Sequence, residues 1–202
     1  WMKRNQNPAI KIGKDRRHHG TKNHPHLSWE HVQDLIKAIN LNKCNSNIQS
    51  VLATKFMLMT FLRSGALARL EWSWINEDEK LLIIPGPTSG LKRRKGINEN
   101  IPHHVPLTKE MEMILNRARE FNTGEKYIFL PLRQSRYEFM DPESPNNYLR
   151  NLGYKGKQRA HGWRHVARTV GVDICKCDAD VIKRQMGHLP DNKVDKAYDK
   201  SL

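Results

Sequence analysis

The chain has 202 residues, enough for one domain with a real core. Lysine and arginine number 35 against 21 acids, a net charge of +14, which favours a polyanionic partner, nucleic acid before membrane, because no long basic amphipathic helix is evident. The three cysteines (Cys44, Cys175, Cys177) make no disulfide framework and fit a reducing cytoplasm; the longest apolar stretch, Phe56 to Leu62, is broken by Thr60 and far too short for a membrane span.

No signal peptide opens the chain. From Trp1 through Asn7-Pro8-Ala9 it reads as a fragment cut from a longer protein. Residues 1–27 hold seven Lys/Arg against one acid, Asp15, with no apolar periodicity, and are expected to form a basic arm or linker. His18, His19, His24 and His26 carry metal-binding chemistry, but nothing in their spacing fixes a coordination geometry, so a solvated or DNA-tracking arm is the simpler reading.

Order is expected from Leu27-Ser28 onward. Ser28 suits an N-cap, Leu27 can staple onto Val32, and Val32, Leu35, Ile36 and Ile39 follow helical spacing. A second helix is predicted from about Asn47 through Val51, Phe56, Met59 and Leu62, delivering Arg63 at its C-terminal end beside a flexible Gly65. Leu81–Ile84 and His104–Leu107 read as strands around a long basic hairpin, Gly86 to Pro102. Thr108 caps a helix with the stripe Met111, Ile114, Leu115 and Ala118. Another helix, near Asn146–Leu152, stops at Gly153. The basic loop Lys155–Arg159 leads into a helix carrying His161 and Arg164, and a last helix, capped by Asp178, carries Val181, Ile182 and Met186 and stops at Gly187. The fold class is therefore α+β, mostly helical with a small antiparallel sheet.

The chemistry concentrates in Arg63, His161, Arg164, His188 and Tyr198. Two arginines, two histidines and a late tyrosine are what a metal-free phosphodiester transesterification needs: guanidiniums for a phosphorane-like transition state, an imidazole for a proton, a phenol oxygen to attack phosphorus. Each residue also has a bland explanation. Arg63 can be a helix-end cation facing water, and His161 and Arg164 part of a solvated basic face with His165 and Arg168. His188 can cap a helix C-terminus. Tyr198 lies in a polar context, Asp195–Lys200, where a core role is not expected. Its phenol, with a pKa of about 10, needs a base and a positive field to attack at neutral pH.

Taken in order, Leu62-Arg63-Ser64-Gly65, Val105-Pro106-Leu107, His161-Gly162-Trp163-Arg164 and Ala197-Tyr198 resemble the motifs of the tyrosine recombinases, the integrases of phages and mobile elements, and most closely those of prophages and genomic islands. The resemblance runs from about Ser28 to the end. It implies a catalytic domain over residues 28–202, without the family's N-terminal DNA-binding domain, and a 3′-phosphotyrosyl DNA intermediate formed by Tyr198. Arg63, His161, Arg164 and His188 would face the scissile phosphate. A hairpin lysine, Lys92 with Lys95 as competitor, would protonate the leaving 5′-oxygen. No cofactor or metal is implied. The partners implied are double-stranded DNA at an attachment-site core and other integrase protomers in a tetrameric synapse, with no membrane, in a bacterial cytoplasm on the nucleoid.

Two departures accompany the resemblance. Many relatives carry an acid three positions after the first arginine, where this chain has Ala66, so the support of Arg63 is expected to be built differently. The chain ends four residues after Tyr198, so the family's C-terminal helix is expected to be missing or very short. Rival readings are a type IB topoisomerase-like activity and a non-catalytic DNA-binding module. A metal reading is weak: Asp178-x-Asp180 stands at a helix start, where acids are expected, and Cys175-x-Cys177 lacks a second half-site.

Overall fold

The first helix, α1 (Trp29–Leu41), buries Val32, Leu35, Ala38 and Ile39. Its stripe is centred near Leu35, which leaves Ile36 on the flank, 39% exposed, where helical spacing alone had placed it inside. Ser28 precedes the helix as expected, but its hydroxyl meets the ring of His31 at 3.0 Å instead of a backbone N–H. These positions come from a computed structural model that describes residues 24–122, 124–133 and 137–189; Tyr198, His18 and His19 lie outside the described residues.

Helix α2 (Ile48–Thr60) is opened by Asn47, whose side chain accepts from the Gln49 N–H, and it is buried on nearly every side. Thr54 and Thr60 fit such a position because each hydroxyl donates back to the carbonyl one turn earlier, Ser50 at 2.7 Å and Phe56 at 2.9 Å. The helix does not reach Leu62. Phe61 takes a left-handed conformation (φ 56°) and ends it, so Arg63 stands at the entrance to a short helix, α3 (Ser64–Leu67), which contains Gly65. Met59, expected inside, is 37% exposed.

Three short strands, β1 (Ile75–Asn76), β2 (Leu81–Ile84) and β3 (His103–Pro106), form an antiparallel sheet in the order β1-β2-β3. Ile84 pairs with His103 and Leu82 with Val105, so residues 85–102 form the hairpin connection expected from the basic stretch. Strand β3 begins one residue earlier than its sequence pattern suggests, which buries His103 and leaves His104 exposed. At two residues, β1 is too short to announce itself in the sequence.

Helix α4 (Lys109–Arg119) matches its prediction closely. The Thr108 side chain accepts from Met111 N–H, and Met111, Ile114, Leu115 and Ala118 are buried. Acids in its first turn and arginines in its last suit the helix dipole. Helix α5 (Ser144–Leu149) runs on through a wide turn, Arg150–Tyr154, that crosses Gly153 at φ 88°, the residue at which a stop is expected. Helix α6 is Trp163–Arg168 and α7 is Ala179–Gln185. The side chain of Asp178 caps α7 by accepting from Asp180 and Val181 N–H; Met186 is buried, while Val181 is 59% exposed because α7 is held through Ile182 and its C-terminal end.

Helix α2 lies between two apolar clusters. One gathers Phe56, Met57, Leu82, Ile84, Val105, Leu115 and Phe129 between α2, the sheet and α4. The other gathers Val32, Leu35, Ile39, Val51, Tyr148, Trp163 and Val166 around α1, α5 and α6. Burying each large side chain contributes about 1.5–3 kcal/mol. Polar tips are satisfied on the way: the Trp163 indole donates to Leu58 O at 2.8 Å and the Tyr148 hydroxyl to Ile39 O at 3.2 Å. Among the described residues no helix is long and apolar enough to cross a membrane.

Candidate active site

The end of α2 sets the geometry. Because Phe61 turns left-handed, its carbonyl points away from the helix axis and accepts from Arg164 Nη1. Arg164 Nη2 donates to Met186 O at 3.0 Å and meets His188 Nε2 at 2.9 Å. Arg164 is thus a buried arginine, 6% exposed, tying together the ends of α2 and α7. Burial, and then the nearby Arg63, push its pKa down to about 10, which leaves it charged at neutral pH.

Arg63 comes to the same place from the other side. Its Nη2 meets His188 Nε2 at 3.3 Å and its Nη1 donates to Gly90 O at 3.2 Å. Burial lowers its pKa as well, and its Nε is buried without a partner. Two guanidiniums therefore converge on one imidazole nitrogen, which must present its lone pair to receive them. Among the described residues no ion pair engages Arg63 or Arg164. Confined positive charge of this kind is costly unless an anion answers it.

Ala66 explains how Arg63 is supported. Ala66 is fully buried, and a Cβ on Gly90 would stand 2.5 Å from its backbone nitrogen. Gly90, at φ 104°, lets the hairpin base press against α3, and its carbonyl accepts from the Arg63 guanidinium. That support of Arg63 is made of backbone.

His161 precedes α6 instead of lying within it. It occupies the turn whose carbonyl accepts from Arg164 N–H at 3.2 Å. Its pKa is pushed down to about 4 by burial, then by His24, Arg164 and Arg63, so the ring is neutral at pH 7 and, while those charges stand unanswered, a weaker base than a free imidazole. The ring of His24 packs edge-on against it at 4.5 Å, and that of His26 stacks on His165 at 5.1 Å. Pro25 O accepts from Arg159 N–H, and a Cβ on Gly162 would fall 2.1 Å from that same oxygen. Residues 24–27 thus lie against the site, where the sequence alone read the segment as an unpacked arm.

Of the six residues expected to act, four (Arg63, His161, Arg164 and His188) are brought together. Lys92 sits on the exposed hairpin connection with its backbone at φ 54°, two residues beyond the Gly90 that holds Arg63; Lys95 is exposed on the same loop. Tyr198 lies outside the described residues. Arg93 and His103, which sequence reasoning passed over, border the cluster. His103 is buried beneath Gly187, and its pKa is pushed down to about 4 by burial and Arg93. The only sequence signal for it was a histidine at the edge of a strand.

The family model of the phage integrase family matches residues 26–202. The integrase of Enterobacteria phage P4 is 29% identical over 157 residues, covering 75% of this chain and 36% of that protein. Putative protein IntB of Escherichia coli K12 is 30% identical over 152 residues, covering 72% and 38%. The chain spans less than half the length of these curated relatives. Its fold is similar to that of XerA recombinase, with a TM-score of 0.58 at 20% identity, covering 89% of this chain and 64% of that one. A lambda integrase dimer bound to a COC′ core site gives 0.59 at 16% identity, covering 92% and 51%.

Proposed function

This chain belongs to the phage integrase family, and from that premise we propose that it is the catalytic domain, over residues 28–202, of a tyrosine recombinase that cuts and rejoins DNA at a specific site. The carrying observation is the convergence of Arg63 and Arg164 on His188 with no ion pair to either arginine among the described residues. A DNA phosphate is the anion that such a pair of planar forks fits, and a phosphorane-like transition state, with more charge on its equatorial oxygens, fits it better.

In this reading the phenol oxygen of Tyr198 attacks phosphorus and gives up its proton to the ring of His161, whose basicity rises as the bound phosphate offsets the charge of Arg164 and Arg63. The bond from phosphorus to the 5′-oxygen breaks, and Lys92 supplies the proton that makes a 5′-hydroxyl. The strand is left joined to Tyr198 through its 3′-phosphate. A 5′-hydroxyl from a partner strand reverses the step, so bond energy is conserved. The basic arm of residues 1–27 leads toward a DNA-binding domain, with its residues 24–27 laid against the site. The working assembly is a tetramer on two duplexes, in the bacterial cytoplasm and on the nucleoid.

The test is a nicked suicide duplex carrying the core site of its own element. A denaturing gel should show a covalent protein–DNA adduct with the wild-type chain and none with Tyr198→Phe, while both bind DNA equally. An adduct that persists in Tyr198→Phe removes Tyr198 as the nucleophile.

A further inference from the structure

The run Leu91-Lys92-Arg93-Arg94-Lys95 reads on paper as a set of phosphate clamps, yet Arg93 faces inward. Its Nε donates to Ile101 O at 3.0 Å and its Nη2 to Pro102 O at 3.4 Å. Its Nη1 donates to Gly187 O at 2.8 Å and, more weakly, to Leu91 O at 3.5 Å. Four of the five N–H donors of a guanidinium are thereby given to carbonyls. The two carbonyls on Nη1 have a particular meaning. Leu91 O belongs to the peptide that leads into Lys92, and Gly187 O to the peptide that leads into His188. One nitrogen therefore lies between the backbone that presents the hairpin lysine and the backbone that presents the histidine.

Three neighbouring features suit a fixed joint. Lys92 holds a left-handed backbone (φ 54°), a conformation uncommon for residues other than glycine. Leu91 before it is 3% exposed, and Arg93 after it is bonded on three sides, so Lys92 is pinned by both neighbours while its own side chain stays exposed. The buried ring of His103 lies directly under Gly187, within 3.6 Å of where a Cβ would be.

We propose that Arg93 is a positioning residue that fastens the hairpin carrying Lys92 to the turn carrying His188, so that leaving-group protonation and phosphate binding are held in one geometry. The proposal rests on the recombinase reading for its consequence, but not for its structural content. Arg93 touches neither DNA nor the reacting atoms; it acts through its two neighbours.

Two measurements on the 202-residue chain test this, one of them independent of activity. In hydrogen exchange, Arg93→Gln should raise exchange at the amides of Gly187 and His188, bonded to Arg184 O and Lys183 O, by at least tenfold, with α4 unchanged. Arg93→Lys, which keeps the charge and loses the fork, should behave like the glutamine variant. Unchanged exchange in Arg93→Gln, or wild-type exchange in Arg93→Lys, overturns the proposal. In the suicide-substrate assay Arg93→Gln should slow adduct formation at least tenfold, and a 5′-thiol leaving group, which departs without a proton, should shrink that deficit at least threefold. The salt dependence of DNA binding should keep its slope. A slope reduced by about 0.9 would make Arg93 an ordinary phosphate contact, and a deficit that the thiol leaves intact would disconnect it from Lys92. If the wild-type chain forms no adduct, the recombinase reading fails, and the exchange result still decides the joint.

Discussion

The arginine cradle and the hairpin that faces it hold their charges in opposite ways. Arg164 and Arg63 are fixed by carbonyls at element ends (Phe61, Met186 and Gly90), in a place where Arg164 is nearly inaccessible. Lys92, Arg94 and Lys95 project from an exposed connection of the sheet. Charge in the cradle is preorganised at the expense of desolvation; charge on the hairpin stays solvated, on exposed side chains carried by a backbone that Arg93 fastens. Protein dipoles set in advance at a developing anion carry a large share of catalysis, so the cradle should tolerate change least.

Arg164→Ala is expected to have the largest effect, slowing adduct formation by roughly 10²–10³, with Arg63→Ala close behind. Intact DNA should bind both variants with much smaller losses, since one contact among many is removed. Losses of equal size in affinity and rate would mean that the cradle only holds the backbone. Neither variant should recover on a 5′-thiol substrate, because neither arginine gives up a proton.

Lys92→Ala should cost about 10², the low end for a general acid, and here the 5′-thiol should restore the rate. Recovery of Lys95→Ala in place of Lys92→Ala would move the acid three residues along the loop. The next effect is on stability. His103 and His161 are held neutral down to about pH 4 in the folded chain, against about 6.5 for an unperturbed histidine. The unfolded chain therefore binds more protons between about pH 4 and 6.5, so stability rises with pH through that window and is lost as pH falls. Thermal melting should show a midpoint that drops from pH 7 to pH 4.5, and NMR should find the His103 ring untitrated at pH 5.5. A His103 that titrates near 6.5 would refute its burial under Gly187. The smallest effect belongs to Lys95→Ala: an adduct rate within threefold of wild type and a salt slope lower by about 0.9.

What could be read in advance follows the same division. Helix α4 was legible because its apolar residues keep one face and Thr108 stands at its start. Helix α2 misled because a helix buried on nearly every side carries no clear phase and hides its end; the stop depends on Phe61 turning left-handed, which no residue type announced. Among the site residues, family order singled out Arg63, His161, Arg164 and His188, and the fold assembles them. The inward turn of Arg93 was invisible, since a basic run looks the same whether its members face solvent or carbonyls. His103 escaped for a related reason: a one-residue shift in the start of β3 decides which of two adjacent histidines is covered.

The close approach of Pro25 to Gly162 bears on how the domain is best cut for study. A boundary drawn at Ser28, the obvious helix start, would remove the backbone oxygen that receives Arg159 N–H and the two imidazoles laid on His161 and His165. One wall of the proposed proton acceptor would then open to water, and its basicity would drift back toward that of a free imidazole. Any side chain at position 162 would evict the same strap from within, because a β-carbon there overlaps the proline oxygen. An expression boundary upstream of His24 and an untouched Gly162 are therefore conditions for measuring the native acid–base behaviour of this site.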